Sequence, residues 1–195
     1  PPPPPTQPPP PSVWMAANRT DLLLARDAWC ENATLANLQY GHIGTWDVSR
    51  VQDMSYMFCS KQNHLYENAR TSDCNTACST FNDDIGSWVV DSVTTMAYMF
   101  DRAYSFNQPI GNWDTGKVTN MEAMFAGCQD LRQDLSSFKL EGVQSFDHML
   151  DRVPLQTIHT ISRSDVRHLF MHSHGRTQWT VDSLTTDNTL SFRTT

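Results

Sequence analysis

The stretch that decides the fold is Ile110-Gly111-Asn112-Trp113-Asp114-Thr115-Gly116-Lys117-Val118-Thr119-Asn120-Met121-Glu122-Ala123-Met124-Phe125. Its isoleucine, tryptophan, valine and methionine positions recur at the same spacing in a copy that begins at Ile85, and more weakly in a copy that begins at Leu135. A further copy begins at Ile43, 42 residues before Ile85, a distance equal to the 25-residue period plus a 17-residue insertion. A regular period of this length is typical of arrays in which each copy is one stacked unit.

Aligning the copies places large apolar side chains at the same position in every unit. The substitutions at these positions exchange one large apolar group for another, which is typical of a packed core and not of a ligand site. The aligned positions are Trp46, Trp88, Trp113 and Phe138; Val51, Val93, Val118 and Val143; Met54, Met96, Met121 and Phe146; and Phe58, Phe100, Phe125 and Leu150. We therefore expect the units to share one continuous core.

The local pattern within a unit predicts a short strand followed by one helical turn. Residues 118–121 are short, β-branched and polar at alternate positions, as in a half-buried strand. Residues 122–126 suit a single helical turn, which Gly127 can end. Four such strands in register would form a narrow parallel sheet. The sequence thus predicts an α/β solenoid with an N-terminal capping helix.

The repeated motif resembles that of the BspA-type leucine-rich-repeat surface proteins. The resemblance rests on Phe106-Asn107-Gln108-Pro109-Ile110 and the stretch that follows it, and it covers residues 43 to about 150. Asp27-Ala28-Trp29-Cys30 is similar to the helical lead-in found before such arrays in protist members. The resemblance implies a short leucine-rich-repeat-like array of about four 25-residue units on a surface or secreted protein, and it implies no catalytic residues. The insertion, Val89 in place of Asp, and the loss of Trp in the fourth unit depart from the pattern.

The organisation along the chain follows from where the repeat begins and ends. Nine of the first eleven residues are prolines, which favours a stiff polyproline II segment. Beyond the repeat, the chain is rich in Ser, Thr and His and shows no recognisable unit, so we expect either a diverged cap with a flexible tail or a segment outside the true reading frame. The predicted regions are a proline-rich linker (1–18), a helical cap (19–42), the repeats (43–152, with an insertion at 59–80) and a degenerate cap or disordered tail (153–195).

Composition excludes several classes of partner. Fourteen Lys and Arg against 21 Asp and Glu give the 195 residues a net charge of −7, which argues against nucleic acid as the main partner. No apolar run approaches the roughly 18 residues that span a bilayer, so we expect no membrane insertion within this chain. A hydrophobic fraction of 39% is enough to fill a core.

The cysteines and glycosylation sequons favour a secreted or cell-surface setting, with any signal or anchor outside this chain. Four of the five cysteines are candidates for disulfides, and Cys128 is the candidate for the unpaired thiol, because its position in the unit faces inward. The four candidates are Cys30, Cys59, Cys74 and Cys78, which allow three connectivities, and a zinc site at this cluster is the weaker alternative. The sequons Asn18-Arg19-Thr20 and Asn32-Ala33-Thr34 make Asn18 and Asn32 candidate glycosylation sites.

No pattern in the chain indicates catalysis, so we expect no enzymatic activity, no cofactor and no bound metal. Three histidines, His168, His172 and His174, have a spacing that a metal site could use, but no Glu stands beside them to act as a general base, and no convincing helical frame accompanies them. We interpret them as part of a solvated tail. The carboxylates on the repeat loops also lack a recurring basic or nucleophilic partner.

A candidate ligand face lies between the inward Val and Met of each unit. Two successive polar residues occupy this place in all four copies: Gln52 and Asp53, Thr94 and Thr95, Thr119 and Asn120, and Gln144 and Ser145. They are interpreted either as a binding surface or as solvated sheet. The first functional hypothesis is a non-catalytic module that binds an extracellular protein or glycan in adhesion. The alternative is a structural wall or coat component that self-associates through stacked repeats.

Overall fold

The repeated units lie on one another in register. The structure is a computed structural model that describes residues 13–60, 71–153, 179–184 and 190–194. In the segment that follows the aligned valine, alternate backbone N–H groups donate to carbonyls of the next unit. In the first pair of units these bonds run from Met54, Tyr56 and Phe58 to Thr95, Ala97 and Met99, at 3.0, 3.0 and 2.6 Å. The same offset of one repeat joins the later pairs, so the units form a stack.

We number the units by their starting residues. The first unit comprises residues 43–84 with the insertion, the second 85–109, the third 110–134, and the fourth begins at Leu135 and is described to Val153. One continuous core runs through all four and contains the aligned Trp, Met and Phe positions. Trp46 and Trp88 stack with ring centroids 6.4 Å apart, and Phe100 stacks on Phe125 at 5.6 Å.

Tryptophan suits its column because its indole N–H finds an acceptor in the preceding unit. The Trp88 Nε1 donates to the carbonyl of Ile43 at 2.9 Å, and the Trp113 Nε1 donates to the carbonyl of Ile85 at 3.3 Å. Both rings are 3% exposed, so an unpaired N–H would be costly there. The tryptophans therefore contribute both apolar surface and a directed link between units.

The prediction of an α/β solenoid is wrong. Within residues 43–60 and 71–153 the structure has no α-helix and no strand. The regular pieces there are three 3₁₀-helices, at Ile43–Thr45, Thr71–Asp73 and Thr76–Thr80. The expected strand at residues 118–121 is reduced to one bridged residue, Asn120, and the equivalent positions of the other units are likewise single bridged residues, at Asp53, Thr95 and Ser145.

The physical reason is a residue with left-handed backbone φ in each unit. It lies three positions after the bridged residue of that unit. Tyr56, Tyr98, Ala123 and His148 occupy this place with φ of 62°, 58°, 49° and 59°. A left-handed residue closes a β-turn, and the N–H of Met99 accordingly donates to the carbonyl of Met96 at 3.1 Å. The turn ends the extended segment after one residue. It also forbids the expected helical turn at 122–126, because Ala123 lies outside the helical region.

Two helices, not one, precede the repeats. Helix α1 spans Arg19–Glu31 and helix α2 spans Ala33–Tyr40. Asn32, with φ −157° and ψ 90°, ends α1, and its side chain accepts a hydrogen bond from the N–H of Leu35 as the N-cap of α2. The buried residues of α1 have the i, i+3, i+4, i+7 spacing of one helix face; they are Leu22, Ala25, Arg26 and Trp29.

Arg26 fastens α1 to the first unit. Its side chain is 1% exposed, and its guanidinium donates to the carbonyls of Met57 at 2.5 Å and Asp73 at 2.7 Å. Its Nε lies 3.1 Å from Asp27 Oδ1. Burial lowers the pKa of Arg26, and the charge of Asp27 opposes that shift. One buried side chain thus ties the helix, the first unit and the insertion together.

The residues just before α1 also cover the first unit. Met15 pairs in parallel with Asp47, and the Trp14 ring lies 5.0 Å from that of Trp46. Residues 13–18 fall within the predicted linker, and those at 14–16 pack on the first unit. Residues 1–12 and 61–70 lie outside the described residues. The amino-terminal end of the stack is therefore covered by α1, α2 and residues 14–16.

An antiparallel pair of strands lies within the region predicted as a degenerate cap or disordered tail. Strand β1 spans Trp179–Leu184 and β2 spans Leu190–Thr194. Trp179 pairs with Thr194, and the register shifts between Val181 and Ser183. The other residues of 154–195 lie outside the described part of the chain, as do His168, His172 and His174.

Candidate functional site

The structure brings all eight candidate ligand-face residues together in two adjacent rows, which we call the polar strip. The outer row is exposed and consists of Gln52, Thr94, Thr119 and Gln144; the inner row is half-buried and consists of Asp53, Thr95, Asn120 and Ser145. The inner residues form the parallel bridges from unit to unit. The outer residues are linked by backbone bonds of 2.7–2.8 Å, each N–H donating to the previous carbonyl in the row. The strip thus follows the stacking direction.

Side chains of the inner row are hydrogen-bonded to nearby backbone N–H groups or to a side chain of the neighbouring unit. The Asp53 Oδ1 accepts a hydrogen bond from the N–H of Ser55 at 2.8 Å, and the Asn120 Oδ1 accepts one from the N–H of Glu122 at 2.8 Å. The Thr95 hydroxyl lies 3.0 Å from that of Ser55. These contacts bend the chain after the bridged residue. The inner row therefore shapes the surface, and the outer row is the exposed part of the strip.

The two central hydroxyls of the outer row already donate to carbonyls within the strip. The Thr94 Oγ1 donates to the carbonyl of Gln52 at 3.2 Å, and the Thr119 Oγ1 donates to the carbonyl of Thr94 at 3.1 Å. Each hydroxyl oxygen keeps its lone pairs as acceptors. Exposed amide groups of Gln52 and Gln144 at the two ends supply donors. A ligand on this strip would accept at the ends and donate in the centre.

The single formal charge of the polar strip is compensated. Asp53 Oδ2 lies 3.5 Å from the Nε of Arg19, which belongs to α1. Arg19 also donates to the carbonyl of Ser55 at 2.6 Å and to Asp73 Oδ2 at 3.0 Å. Helix α1 therefore holds a guanidinium at the first-unit end of the strip, and the strip as a whole is close to neutral.

All four candidate cysteines form disulfides. Cys30 pairs with Cys78 across 48 residues, and Cys59 pairs with Cys74 across 15 residues. This selects one of the three connectivities that the sequence allows. Two structural disulfides are typical of an oxidising environment. The first bridge joins α1 to the insertion, and the second closes the insertion on the first unit.

The two sequon asparagines are both helix N-caps. Asn18 and Asn32 are exposed, and each side-chain oxygen accepts a backbone hydrogen bond, from the N–H of Asp21 at 3.0 Å and of Leu35 at 3.1 Å. Capping explains an Asn at each place without a glycan. The amide nitrogen that would carry a glycan is not the capping atom, so both roles are compatible.

Sequence reasoning missed a small cavity beside a buried arginine, which we call the Arg102 cleft. It has a volume of about 90 Å³, and its lining consists of Asp101, Arg102, Tyr104, Ala126, Gly127, Gln129, Asp151 and Arg152. Asp101 is 1% exposed, and burial raises its pKa to about 6, against the opposing charges of Arg102 and Arg152. The available signal was the Asp-Arg pair, which occurs at 101–102 and again two periods later at 151–152.

The described residues offer little for catalysis or metal binding. Among them no group of three or more His, Cys, Asp or Glu side chains is placed to hold a metal ion. The Cys128 thiol is buried and donates to the carbonyl of Phe100 at 3.1 Å. Burial, and then the charge of Asp101, raise the pKa of Cys128, which makes it a poor nucleophile. None of the helices in the described residues has the length and apolar character needed to cross a bilayer.

Comparison with known proteins identifies a family. A family model described as "Mycoplasma protein of unknown function, DUF285" matches residues 29–77 and 67–162, which together span more than half of the chain. No curated protein and no solved structure matches the sequence. The matched residues contain α2, all four units and both disulfides. On this match, the chain belongs to the DUF285 family.

Proposed function

We propose that this chain is a non-catalytic binding module of a secreted or surface protein, and that it holds a protein or glycan ligand on the polar strip. The observation that carries the proposal is the outer row: four exposed polar side chains, one from each unit, repeated along the stack. With neighbouring backbones about 4.8 Å apart, the row extends over about 14 Å. That length accommodates a few sugar rings or a short peptide.

The construction of the strip supports this use. Backbone bonds between units and the side-chain contacts of Asp53, Thr95 and Asn120 hold the strip in one conformation. A pre-formed surface loses little conformational entropy on binding. Because Arg19 compensates Asp53, hydrogen bonding should dominate over ion pairing. We therefore expect affinity for a ligand of this strip to depend weakly on salt.

The disulfides support the extracellular part of the proposal. Two bridges lie around the insertion and the cap, where chain segments distant in sequence meet. Such bridges persist in secreted and surface proteins and are rare in the reducing cytosol. A stable, disulfide-held module displayed outside the cell is consistent with a role in adhesion.

The covered end of the stack favours a binding module over a self-stacking coat protein. End-to-end stacking of arrays requires an open unit at each end. The first unit is covered by α1, α2 and residues 14–16, with Trp14 and Trp29 packed on the Trp46 ring. Another copy of the chain would have to displace this cover.

An array of glycans and extracellular-matrix proteins tests the proposal. The strip variant is Thr94→Lys/Thr119→Lys, which places bulk and charge at the centre of the outer row. The matched control is Val89→Lys/Asn112→Lys, which adds two lysines to exposed positions of the same two units. We expect the strip variant to weaken binding of an array ligand by about tenfold or more and the control to leave it unchanged. Equal binding by both variants would show that the strip is not the site.

A further inference from the structure

The Arg102 cleft contains a cation whose hydrogen-bonding capacity the fold does not fully use. The Arg102 side chain is 7% exposed, and its Nη1 is buried without a hydrogen-bond partner. The nearest carboxylate oxygen given by the structure is Asp101 Oδ1, 3.8 Å from the Nε, which is a long ion pair. A guanidinium has five N–H donors in a planar fork, and leaving one of them buried and unpaired is costly.

The size of the cleft limits what can enter it. Its volume of about 90 Å³ exceeds the roughly 30 Å³ share of one water, and it falls well below the roughly 300–1,000 Å³ of cofactor pockets. Gly127 keeps the space open, since a Cβ there would lie 3.2 Å from Arg102 Cγ and its φ of 78° suits glycine. The cleft therefore admits a functional group on a short stem and not a whole small molecule of drug size.

The remaining charges around the cleft are engaged or lie at its mouth. Asp151 Oδ2 is 2.8 Å from the Nδ1 of His148, and Asp101 faces Arg102. Arg152, two units along from Arg102 in the same column of left-handed residues, is exposed. The two carboxylates disfavour a dianion such as phosphate in this space. A group with a single negative charge and two acceptor oxygens matches the unused donor of Arg102 and the cation of Arg152.

We propose that the Arg102 cleft binds one carboxylate group of an acidic peptide segment, with Arg102 as the buried anchor and Arg152 at the entrance. Carboxylate and guanidinium meet in a two-oxygen, two-donor geometry that neither Lys nor an amide reproduces. The site shares no residue with the polar strip and does not depend on the function proposed for it. A glutamate side chain, a peptide C-terminus and a free small acid all present this chemistry, and the test separates them.

The experiment follows amide resonances of the full chain by NMR during titration, with the Gly127 amide as the reporter inside the cleft. The first two probes are a Gly-Ser peptide with one internal Glu and both ends blocked, and the matching peptide with Gln in place of Glu. The other two are a Gly-Ser peptide that is blocked only at its N-terminus, and acetate. We expect the Glu peptide to shift the Gly127 resonance with a Kd on the order of 1 mM or below, and the Gln peptide to leave it in place.

Three charge-removing variants assign the binding to the cleft. Arg102→Gln should weaken the Glu peptide by about tenfold or more, because a hydrogen bond to a charged group is lost. Arg152→Gln should weaken it less, since Arg152 is exposed. Arg50→Gln removes the same charge from an exposed position on the first unit and should change nothing. If Arg102→Gln loses the dispersed spectrum of a folded chain, Arg152→Gln against Arg50→Gln decides the assignment.

Several outcomes would overturn the proposal. It fails if no carboxylate probe shifts Gly127, or if Arg152→Gln and Arg50→Gln weaken binding equally. Tighter binding of the peptide with a free C-terminus than of the Glu peptide keeps the carboxylate site and moves its source to a chain end. If acetate binds as tightly as either peptide, the cleft takes a free acid, and the assignment to a peptide partner is wrong.

Discussion

The first and fourth units contain the same repeat pattern but are packed to different depths. Val51 and Phe58 of the first unit are 2% and 0% exposed. Their counterparts in the fourth unit, Val143 and Leu150, are only partly buried. The difference shows that the pattern selects which residues point inward, and that the neighbouring cover decides how completely they are buried.

The described contacts of the two units differ in kind. Over the first unit lie α1, α2, the buried guanidinium of Arg26 and the bridge between Cys30 and Cys78. The fourth unit has Phe138 in the tryptophan column, without an indole N–H to donate to the preceding unit, and both disulfides lie away from it. In a stack where each unit contacts only its neighbours, stability is a sum of local terms. We therefore expect the amino-terminal half to be the more stable half.

The largest expected difference comes from truncating the tryptophan column at its two ends. Trp46→Ala should cost about 5 kcal/mol, because the ring contacts Trp14, Trp29 and Trp88 and its N–H donates to a carbonyl. Phe138→Ala should cost about 3 kcal/mol, since the ring has one tilted aromatic contact and is 6% exposed. Urea titration followed by tryptophan fluorescence and circular dichroism measures both. Equal losses of unfolding free energy in the two variants would contradict the claim that the first unit is more stably packed than the fourth.

Opening the disulfides should weaken the amino-terminal half selectively. Loop-closure entropy gives about 4 kcal/mol for the 48-residue bridge and about 3 kcal/mol for the 15-residue bridge. Cys30→Ala/Cys78→Ala should therefore destabilise more than Cys59→Ala/Cys74→Ala in urea titration. Relative to the wild type, hydrogen exchange should accelerate more in the first unit than in the fourth. A larger acceleration in the fourth unit than in the first would contradict a local role for the bridges.

The pH dependence of stability should differ between buried and exposed carboxylates, and Asp101 is a buried carboxylate in the second unit that interacts with the charge of Arg152 in the fourth. Its folded pKa of about 6 lies above its ordinary value of 3.8, so the folded state binds the proton more tightly. This group's contribution to stability is full below pH 3.8 and is lost as pH rises through 6. Asp101→Asn should remove that dependence, because the amide does not titrate, so the variant should gain stability relative to the wild type as the pH rises from 4 to 8.

The matched control is Asp91→Asn, at an exposed position of the same unit. It should leave both the stability and its pH profile unchanged in thermal unfolding measured from pH 4 to pH 8. If the difference in stability between Asp101→Asn and the wild type is the same at every pH, the assignment of a raised pKa is wrong.

The smallest expected effect concerns the joint between the two helices. Asn32→Ala removes the side-chain acceptor of the α2 N-cap and should cost about 1 kcal/mol. Asn32→Asp keeps an acceptor and removes the sequon, and Thr34→Ala removes the sequon alone. In protein made without glycosylation, Asn32→Asp should retain wild-type stability in urea titration. Similar losses for Asn32→Asp and Asn32→Ala would assign Asn32 a role other than capping.

The buried columns were predictable from the sequence because they depend on periodicity alone. Equivalent residues of successive units must meet when units stack, so the contacts of Trp46 with Trp88 and of Phe58 with Phe100 follow from aligning the copies across the insertion. The choice of polar residues at the exposed outer row follows in the same way. No knowledge of local backbone conformation is needed for either inference.

The backbone within a unit was not predictable in this way. Tyr56 and Tyr98 adopt left-handed φ, which local propensity assigns to glycine or asparagine, and the stacking of the two rings at 4.9 Å shows tertiary contacts that accompany the choice. An arginine on a helix is expected to be exposed, but Arg26 is buried. The sequence does not show this, because the carbonyls that Arg26 binds belong to residues 30 or more positions away. The Arg102 cleft likewise requires three units to be assembled before it exists.

The hydrogen bonds of the indole N–H groups all point towards the amino-terminal end of the stack. This direction affects which end of the stack can lose or gain a unit. Trp88 and Trp113 each donate to the unit on their amino-terminal side, and Trp46 donates to the carbonyl of Gly41 at the end of the cap. Loss of the carboxyl-terminal unit leaves every remaining indole with its acceptor. Loss of the cap removes the acceptor of Trp46 and uncovers the ring against which Trp14 and Trp29 pack. Gain and loss of repeats by duplication is therefore least costly at the carboxyl end, while the cap and first unit must be inherited together.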